Sequence, residues 1–300
     1  MEHSSIGIDL GCTHIKAILV TADGTLLKEI RQDTEEQNDQ HWKNAIRQIV
    51  QQLKKESNKP VQAIGLSAPG LANSTNTCIE FMPGRLPGLE NFNWSDFTGE
   101  RIDVLNDAHA ALMAELQFGA AKNCKHVVML TLGTGVGGAI SIDGKLYQGV
   151  SQMAGHLGHI TVDALSSSKD VTNMPGSLED AIGNLTIQQR TQGKFKTTWE
   201  LVKAYEAKDP FATQVWLTSL RQLAVAMASL INVLSPELII VGGGISKAEA
   251  LLITPLQQYL SEFEWRPGGK QTPIKLARFS DLAGALGAAG FALSKINQRL

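Results

Sequence analysis

Three glycine-rich turns contain the residues of this 300-residue chain that are best suited to bind phosphate. They lie within Asp9 to Thr13, Gly133 to Gly138 and Gly242 to Gly244, and each follows an apolar run typical of a buried strand. Because glycine has no side chain, the backbone N–H groups of such turns can approach an anion. One turn of this kind is more often a tight hairpin than a ligand site, whereas three at matched positions favour phosphate binding.

The sequence around these turns indicates ATP bound through a fold without a P-loop. None of the turns ends in Gly-Lys-Ser/Thr, and the second precedes a strand where the dinucleotide fingerprint requires a helix. Asp9 has carboxylate oxygens that can hold a Mg²⁺-bound water beside the phosphates; the alternative is an aspartate that caps the turn. We expect the ATP phosphates to contact Gly11, Cys12, Thr13, Gly133, Thr134, Gly135, Gly137, Gly243 and Gly244.

The elements that position these turns follow one plan twice. Each half begins with two strands and an Asp-Gly turn, continues with an amphipathic helix, and ends with proline, an apolar strand and a glycine turn. The matching pairs are the strands from Ile6 and Val127, the turns at Asp23-Gly24 and Asp143-Gly144, and the helices Trp42 to Leu53 and Leu220 to Leu234. Two related α/β domains with a cleft between them are predicted: residues 1–118 with a C-terminal helix at about 286–300, and residues 119–285 with a substrate-site insertion at 149–209.

The composition excludes several classes of protein. A hydrophobic content of 43% supplies a core for each domain, so the chain is not disordered. The 27 basic and 29 acidic residues leave a net charge of −2, and nucleic acid is not expected as a partner. Three separated cysteines suit a reducing compartment, and no apolar run reaches about 18 residues, so we expect a cytoplasmic protein without a membrane partner.

Five motifs in this order resemble those of the ROK family of sugar kinases and related repressors. They are Asp-x-Gly-x-Thr-x-x-Lys from Asp9, Asn106-Asp107, Gly-Thr-Gly-x-Gly-Gly from Gly133, Ala-Gly-x-x-Gly-His from Ala154, and Gly-Gly-Gly-Ile-Ser from Gly242. The resemblance implies the α/β actin-like ATPase (ribonuclease H-like) fold, ATP and Mg²⁺ in the interdomain cleft, and phosphorylation of a hexose, with the 6-hydroxyl as the expected acceptor. It also implies a homodimer.

Asp107 is the expected catalytic base. Taken alone, an aspartate that opens a helix is an ordinary N-cap. Together with the other motifs, it fits the carboxylate that a phosphoryl acceptor requires within hydrogen-bond reach. The resemblance assigns sugar binding to Asn106, His159 and Glu179, and we place His156 and Gly70 in the same group.

Three departures from the family pattern bear on this prediction. The family histidine at His159 often binds a structural zinc with three cysteines, but Asp170, Thr172 and Ser177 occupy the matching positions, and no structural zinc is expected. His156 replaces a glutamate, which alters the pattern of sugar hydroxyls recognised, because a neutral imidazole offers one acceptor. Cys12 replaces a glycine in the first phosphate turn, and its thiol either crowds the phosphates or points away.

These departures keep other functions open. A sugar-binding regulator with weak or no catalysis would retain the fold and act through a protein partner, and an N-acetylhexosamine kinase would use a different sugar. An actin-like ATPase that polymerises is disfavoured, since the insertion carries histidines and acidic residues suited to a small-molecule pocket. The aromatic residues Trp199, Tyr205, Phe211 and Trp216 are interpreted as core or interface packing and not as a platform for base stacking.

Overall fold

The apolar runs of the sequence form strands in the computed structural model, which describes residues 3–297. The strands are β1 (Ser4–Leu10), β2 (His14–Thr21), β3 (Leu26–Asp33), β4 (Val61–Ala68), β5 (Leu71–Ala72), β6 (Ile79–Phe81), β7 (Asp103–Asn106), β8 (Val127–Leu132), β9 (Val136–Ile142), β10 (Lys145–Tyr147), β11 (Leu238–Gly242) and β12 (Ile274–Leu276). The α-helices are α1 (Asp39–Glu56), α2 (Trp94–Thr98), α3 (Asp107–Phe118), α4 (Leu178–Ile182), α5 (Ile187–Arg190), α6 (Thr198–Glu206), α7 (Pro210–Leu234), α8 (Ala250–Phe263) and α9 (Ala283–Asn297).

The chain contacts divide the described residues into two units. Unit 1 contains residues 3–123, 146–154 and 278–297, and unit 2 contains residues 124–145 and 155–277. Residues 146–154 therefore belong to unit 1. The sequence pattern groups most of them with the insertion at 149–209. The boundaries 1–118 and 119–285 stay a prediction, and residues 298–300 of the predicted C-terminal helix lie outside the described residues.

The main sheet of unit 1 has the strand order β3-β2-β1-β4-β7. β1 pairs with β2 antiparallel and with β4 parallel, and β4 pairs with β7 parallel. Alternate residues of β1 face opposite sides of the sheet, as a period of two requires. Ile6, Ile8 and Leu10 join a core cluster with the apolar stripe of α1, so the predicted amphipathic helix covers this face.

The other face of this sheet is covered by α9, which packs closely because of glycines. A Cβ built at Gly7 or Gly65 would lie 1.9 Å from the carbonyl oxygens of Ala285 and Ala288 in α9. On its other side α9 meets α3, where a Cβ at Gly287 would lie 1.6 Å from the carbonyl oxygen of Ala110. The three layers of sheet, α9 and α3 thus depend on the absence of these side chains.

The sheet of unit 2 repeats the same topology with the strand order β10-β9-β8-β11-β12. β8 pairs with β9 antiparallel and with β11 parallel, as β1 does with β2 and β4. β9 begins at Val136, inside the glycine-rich turn Gly133 to Gly138, so Gly137 and Gly138 belong to the strand. Gly137 pairs there with Thr131.

α7 is the long helix of unit 2 and carries the predicted stripe from Leu220 to Leu234. Its apolar face joins the core cluster that includes Val128, Leu130 and Val241 of the sheet. Among the described residues it alone has the length and apolar composition of a membrane span, and half of that apolar window is buried inside the protein. This burial is typical of the core helix of an α/β unit.

Candidate active site

Asp107 lies at the start of α3, directly after β7. The helix cap is its neighbour Asn106, whose Oδ1 accepts hydrogen bonds from the N–H groups of Ala108 and His109 at 2.9 and 3.3 Å. Asn106 Nδ2 donates to the carbonyl oxygen of Gly70 at 2.9 Å. The same amide group also donates to the Asp107 carboxylate. The helix start therefore does not need Asp107 as its cap.

The Asp107 carboxylate reaches solvent, yet protein atoms surround it closely enough to change its titration. Desolvation and then the nearby Asp9 carboxylate raise the pKa of Asp107 to about 6, against hydrogen bonds from Ala108 and Asn106. The Ala108 N–H donates to Asp107 Oδ1 at 2.8 Å. A carboxylate with this pKa is a much better proton acceptor than an ordinary aspartate and is still mostly ionised at pH 7.

Asp9, the predicted magnesium residue, is half-buried at the end of β1. Burial raises its pKa, while the hydroxyl of Ser67, which donates to Asp9 Oδ1 at 2.5 Å, and the charge of Lys16 oppose the rise. Gly284 in the first turn of α9 adjoins both groups, and a Cβ there would lie 2.5 Å from Asp9 Oδ1. Lys16 itself pairs with Asp281 at 2.5 Å.

The carboxylate oxygens of Asp9 and their surroundings fit a hydrated magnesium ion. Within residues 3–297, no protein donor occupies Asp9 Oδ2, and a divalent cation bound there would relieve the mutual repulsion of Asp9 and Asp107. Among the described residues there is no group of three or more His, Cys, Asp or Glu side chains around one point. The arrangement therefore suits an ion that keeps most of its water, not one held by a full protein cage.

The first phosphate turn is closed by its own backbone. The N–H of Gly11 donates to the carbonyl of His14 at 3.0 Å, and Thr34 Oγ1 donates to the carbonyl of Gly11 at 2.6 Å. The Gly11 amide is thus occupied, whereas those of Cys12 and Thr13 meet no acceptor in the described part of the chain. Two of the three predicted residues retain amides for an anion.

The Cys12 side chain lies beside Glu36 and Arg85. Burial raises the pKa of the thiol, with the Arg85 charge opposing and the Glu36 carboxylate, which accepts from the thiol, adding to the rise. Glu36 also forms a two-bond ion pair with Arg85. The Cys12 thiol is therefore protonated at neutral pH, which argues against a reactive cysteine.

Glu179 lies against the second phosphate turn, in unit 2. Its Oε2 accepts a hydrogen bond from the N–H of Val136 at 2.9 Å, and a Cβ at Gly135 would lie 2.1 Å from the same oxygen. Glu179 is the second residue of α4, whose cap Ser177 accepts from the Asp180 N–H at 3.2 Å. The sequence placed Glu179 with the sugar and the turn with phosphate, and the structure brings these two predicted groups into direct contact.

This contact occupies part of the second turn. The N–H of Gly133 donates to the carbonyl of Gly135 at 2.9 Å, and that of Val136 is taken by Glu179. The amides of Thr134 and Gly135 have no acceptor among residues 3–297. The anion-binding capacity of the turn is therefore concentrated in these two N–H groups.

The third turn opens into a cavity of about 370 Å³ in unit 2. Gly243 has a φ of 84° and packs against the backbone of Leu132, so it is needed for the chain path. A Cβ at Gly244 would meet nothing within 4 Å. The cavity, which is within the usual size of small-molecule sites, is lined by Gly133, Thr134, Asn184, Thr197, Thr198, Trp199, Val202, Gly244, Ile245 and Ala248.

Trp199 gives this cavity an aromatic wall that sequence reasoning missed. Its side chain is 56% exposed, so Trp199 does not belong to the core and its packing at an interface stays a prediction, while Trp216 is fully buried. The buried Thr198 Oγ1 has no hydrogen-bond partner within the described residues. An exposed indole and an unsatisfied hydroxyl beside two phosphate turns suit a nucleotide base and ribose. The only sequence signal was an aromatic residue in the first turn of a helix.

His156 and His159 flank a short 3₁₀ turn, Leu157–His159, in unit 2. Burial lowers the pKa of His156, and the charge of His159 lowers it further, so His156 is neutral at pH 7. His159 Nδ1 lies 3.3 Å from Asp170 Oδ2. Of the three residues at the family's zinc-cysteine positions, Asp170 and Thr172 therefore approach His159 as hydrogen-bonding partners.

The repeated sheets with phosphate turns after matching strands define a protein of the actin-like ATPase fold class. The profile of the ROK family matches residues 5–295, and the chain belongs to this family.

Curated relatives are similar over nearly the whole chain. The glucokinase of Thermotoga maritima is 28% identical, with 97% of this chain and 98% of the relative covered. The N-acetylgalactosamine kinase AgaK of a Shewanella species is 25% identical, with 94% of each chain covered.

Solved structures show the same fold. The ROK hexokinase of Thermus thermophilus has a TM-score of 0.85 at 27% identity, covering 98% of this chain and 99% of the other. The ROK family glucokinase of Streptomyces griseus, in complex with glucose and AMPPNP, has a TM-score of 0.79 at 26% identity, covering 97% and 99%.

Proposed function

We propose that the protein is a carbohydrate kinase that transfers the γ-phosphoryl group of ATP to a hexose hydroxyl, expected at carbon six. The observation that carries the proposal is the Asp107 carboxylate, freed from capping by Asn106 and raised in pKa to about 6 beside Asp9. The glucokinases among its relatives support the same reaction.

The chemistry assigned to Asp107 is that of a general base. Its ionised carboxylate accepts the proton of the sugar hydroxyl as the hydroxyl oxygen forms a bond to the γ-phosphorus. The bond from the γ-phosphorus to the β,γ-bridging oxygen breaks, and ADP leaves with that electron pair. Mg²⁺, when bound near Asp9 through water, neutralises phosphate charge.

The other site residues receive roles from their positions. The free amides of Cys12 and Thr13 in unit 1, and of Thr134 and Gly135 in unit 2, are proposed to bind phosphate oxygens. The cavity beside Gly244 is proposed to hold the adenosine, with Trp199 against the base. The remaining sugar contacts are proposed to be Asn106, Gly70, His159, Glu179 and His156.

The identity of the sugar is open because His156 stands where family kinases have glutamate. Two substrate classes are proposed, hexoses and N-acetylhexosamines, and relatives of this chain include kinases named for each. ADP formation measured with a panel of both, at equal concentration and with Mg²⁺ and ATP, tests the proposal. A kinase gives sugar-dependent ADP with at least one member.

The regulator hypothesis predicts another outcome of the same experiment. If calorimetry detects sugar binding but no sugar gives ADP, the kinase proposal is rejected in favour of a sugar-binding regulator.

The homodimer, the cytoplasmic location and the dependence on Mg²⁺ rest on the family resemblance and on three unpaired cysteines. Light scattering of the purified protein and titration with EDTA test the first and the last of these.

A further inference from the structure

Asp170 is a covered carboxylate in a tight hairpin of the insertion. Its side chain has no exposed surface, and its Oδ1 accepts three hydrogen bonds: from the N–H and hydroxyl of Thr172 at 2.8 and 2.7 Å, and from the N–H of Met174 at 3.0 Å. Burial opposes ionisation, but these bonds and one from Ser177 outweigh it and lower the pKa of Asp170 to about 2. Asp170 is a fixed anion at neutral pH.

The second oxygen of this carboxylate faces the His159 ring. Asp170 Oδ2 lies 3.3 Å from His159 Nδ1, and Thr172 Oγ1 lies 3.4 Å from the same nitrogen. The Thr172 hydroxyl gives its hydrogen to Asp170, so only its lone pairs can face the histidine. Both neighbours of Nδ1 are acceptors, and this nitrogen must therefore carry the proton.

The backbone makes this arrangement rigid. Thr161 pairs with Ser177 in an isolated bridge, and the Leu178 N–H donates to the Ile160 carbonyl at 2.8 Å. These contacts join the chain after His159 to the start of α4, which carries Glu179. The hydroxyl of Ser177 bonds Asp170 and caps α4, so one network holds two of the proposed sugar-binding side chains of unit 2, His159 and Glu179.

We propose that Asp170 is a positioning residue that fixes the Nδ1-protonated tautomer of His159, leaving Nε2 as a hydrogen-bond acceptor for a sugar hydroxyl. The proposal rests on the proposed function for the identity of the ligand. In a neutral imidazole one nitrogen donates and the other accepts, and a carboxylate partner decides which.

A structural zinc does not fit this group. The Asp170 oxygens are already engaged by donors, the Thr172 hydroxyl points its hydrogen at Asp170, and Nδ1 must be unprotonated to bind a metal. The hydrogen-bond network and a zinc ion are therefore mutually exclusive at His159.

The first test is spectroscopic and does not depend on activity. Side-chain ¹⁵N spectra at pH 8 report the tautomer of neutral histidines, and the His159 signals are assigned by their loss in His159→Gln. The wild-type protein is expected to show a protonated Nδ1 and a bare Nε2. Asp170→Asn is expected to shift the population toward the Nε2-protonated form, because an amide can turn its N–H toward the ring.

The second test separates sugar from nucleotide. Asp170→Asn is expected to raise the KM for the sugar about 10-fold, the usual size of such effects, with the KM for ATP changed less than about 2-fold. Asp163→Asn is the matched control, since Asp163 accepts from the Leu165 N–H in the same loop, and its KM values are expected to stay unchanged. Asp170→Glu, which keeps the charge, is expected to recover part of the sugar affinity.

Definite outcomes overturn the proposal. An unchanged His159 tautomer in Asp170→Asn would do so, as would stoichiometric zinc in the purified protein that chelation removes together with activity. If Asp170→Asn does not fold, Thr172→Val takes its place, and the tautomer of His159 is measured in that variant. This substitution removes the second acceptor at His159 Nδ1 and the hydroxyl bond to Asp170. If the wild-type protein phosphorylates no sugar, the proposed function fails, while the tautomer measurement still decides the role of Asp170.

Discussion

At the scale of residues, Asn106 and Asp107 have different roles at the start of α3. Asn106 satisfies the backbone of the helix and contacts Gly70, which leaves the Asp107 carboxylate free for chemistry. The macrodipole of α3 favours an anion at this end, but desolvation and the Asp9 carboxylate outweigh it and raise the pKa. Asp107 therefore combines a favourable position with enhanced basicity.

The raised pKa of Asp107 predicts a pH dependence. A general base acts only when ionised, so kcat/KM is expected to fall roughly 10-fold for each pH unit below about 6 and to level off above it. Initial rates in a constant-ionic-strength buffer from pH 4.5 to 8.5 measure this limb. A fall that begins only near pH 4 would contradict the raised pKa. The absence of any fall at acidic pH would exclude a carboxylate base.

Trp199 carries a prediction for the nucleotide site. Trp199→Ala is expected to raise the KM for ATP about 5-fold, corresponding to about 1 kcal/mol of base stacking, with the KM for sugar unchanged. The control is Trp265→Ala, which removes another exposed tryptophan of unit 2 that does not line the cavity. Equal effects of the two substitutions on the ATP KM would remove Trp199 from the base site.

At the scale of elements, α9 supports the candidate site by close approach to its neighbours. It contacts β1 and β4 through Gly7 and Gly65, and its first turn reaches Asp9 and Ser67 at Gly284. An added methyl group at Gly7 or Gly65 meets backbone, which cannot move as a flexible side chain does, and one at Gly284 meets the side chains of Asp9 and Ser67. The geometry around Asp9 therefore depends on the packing of this helix.

Two glycines of α9 provide a matched stability prediction. In Gly287→Ala the new Cβ meets the Ala110 carbonyl oxygen, whereas in Gly290→Ala it meets only the flexible end of Gln117. Gly287→Ala is expected to lower the free energy of unfolding by about 2 kcal/mol or more. Gly290→Ala is expected to be neutral or to gain up to about 1 kcal/mol from helix propensity. Urea unfolding of both variants measures the difference, and equal stabilities would contradict the close packing of α3 and α9.

At the scale of the whole molecule, the duplicated sequence pattern predicted much of the fold because hairpins and amphipathic helices are local. The strand orders of the two sheets match, and the hairpin strands and both long helices lie where their periodicity placed them. The fold class and family followed from motif order and are confirmed by the comparisons.

Other features depend on contacts between distant residues, which periodicity does not encode. Glu179 reaches Val136 across 43 positions, and Asp170 reaches His159 through a hairpin. Asn106 and Asp107 are both good caps by residue type, and only backbone geometry shows that Asn106 is the cap. The roles of the site residues stay predictions until they are tested by substitution.

Sugar-dependent ADP formation by the wild-type protein and by Asp107→Asn shows directly whether this carboxylate is the base. Asp107→Asn is expected to lose at least about 1,000-fold in kcat while retaining sugar binding within about 3-fold. Its fold is checked by thermal unfolding. A raised carboxylate pKa makes the ionised form destabilising above about pH 6, so the variant is expected to unfold at an equal or higher temperature than wild type at pH 8, with the difference fading toward pH 4. Wild-type turnover by a folded Asp107→Asn would contradict the central claim that this carboxylate is the base of a sugar kinase.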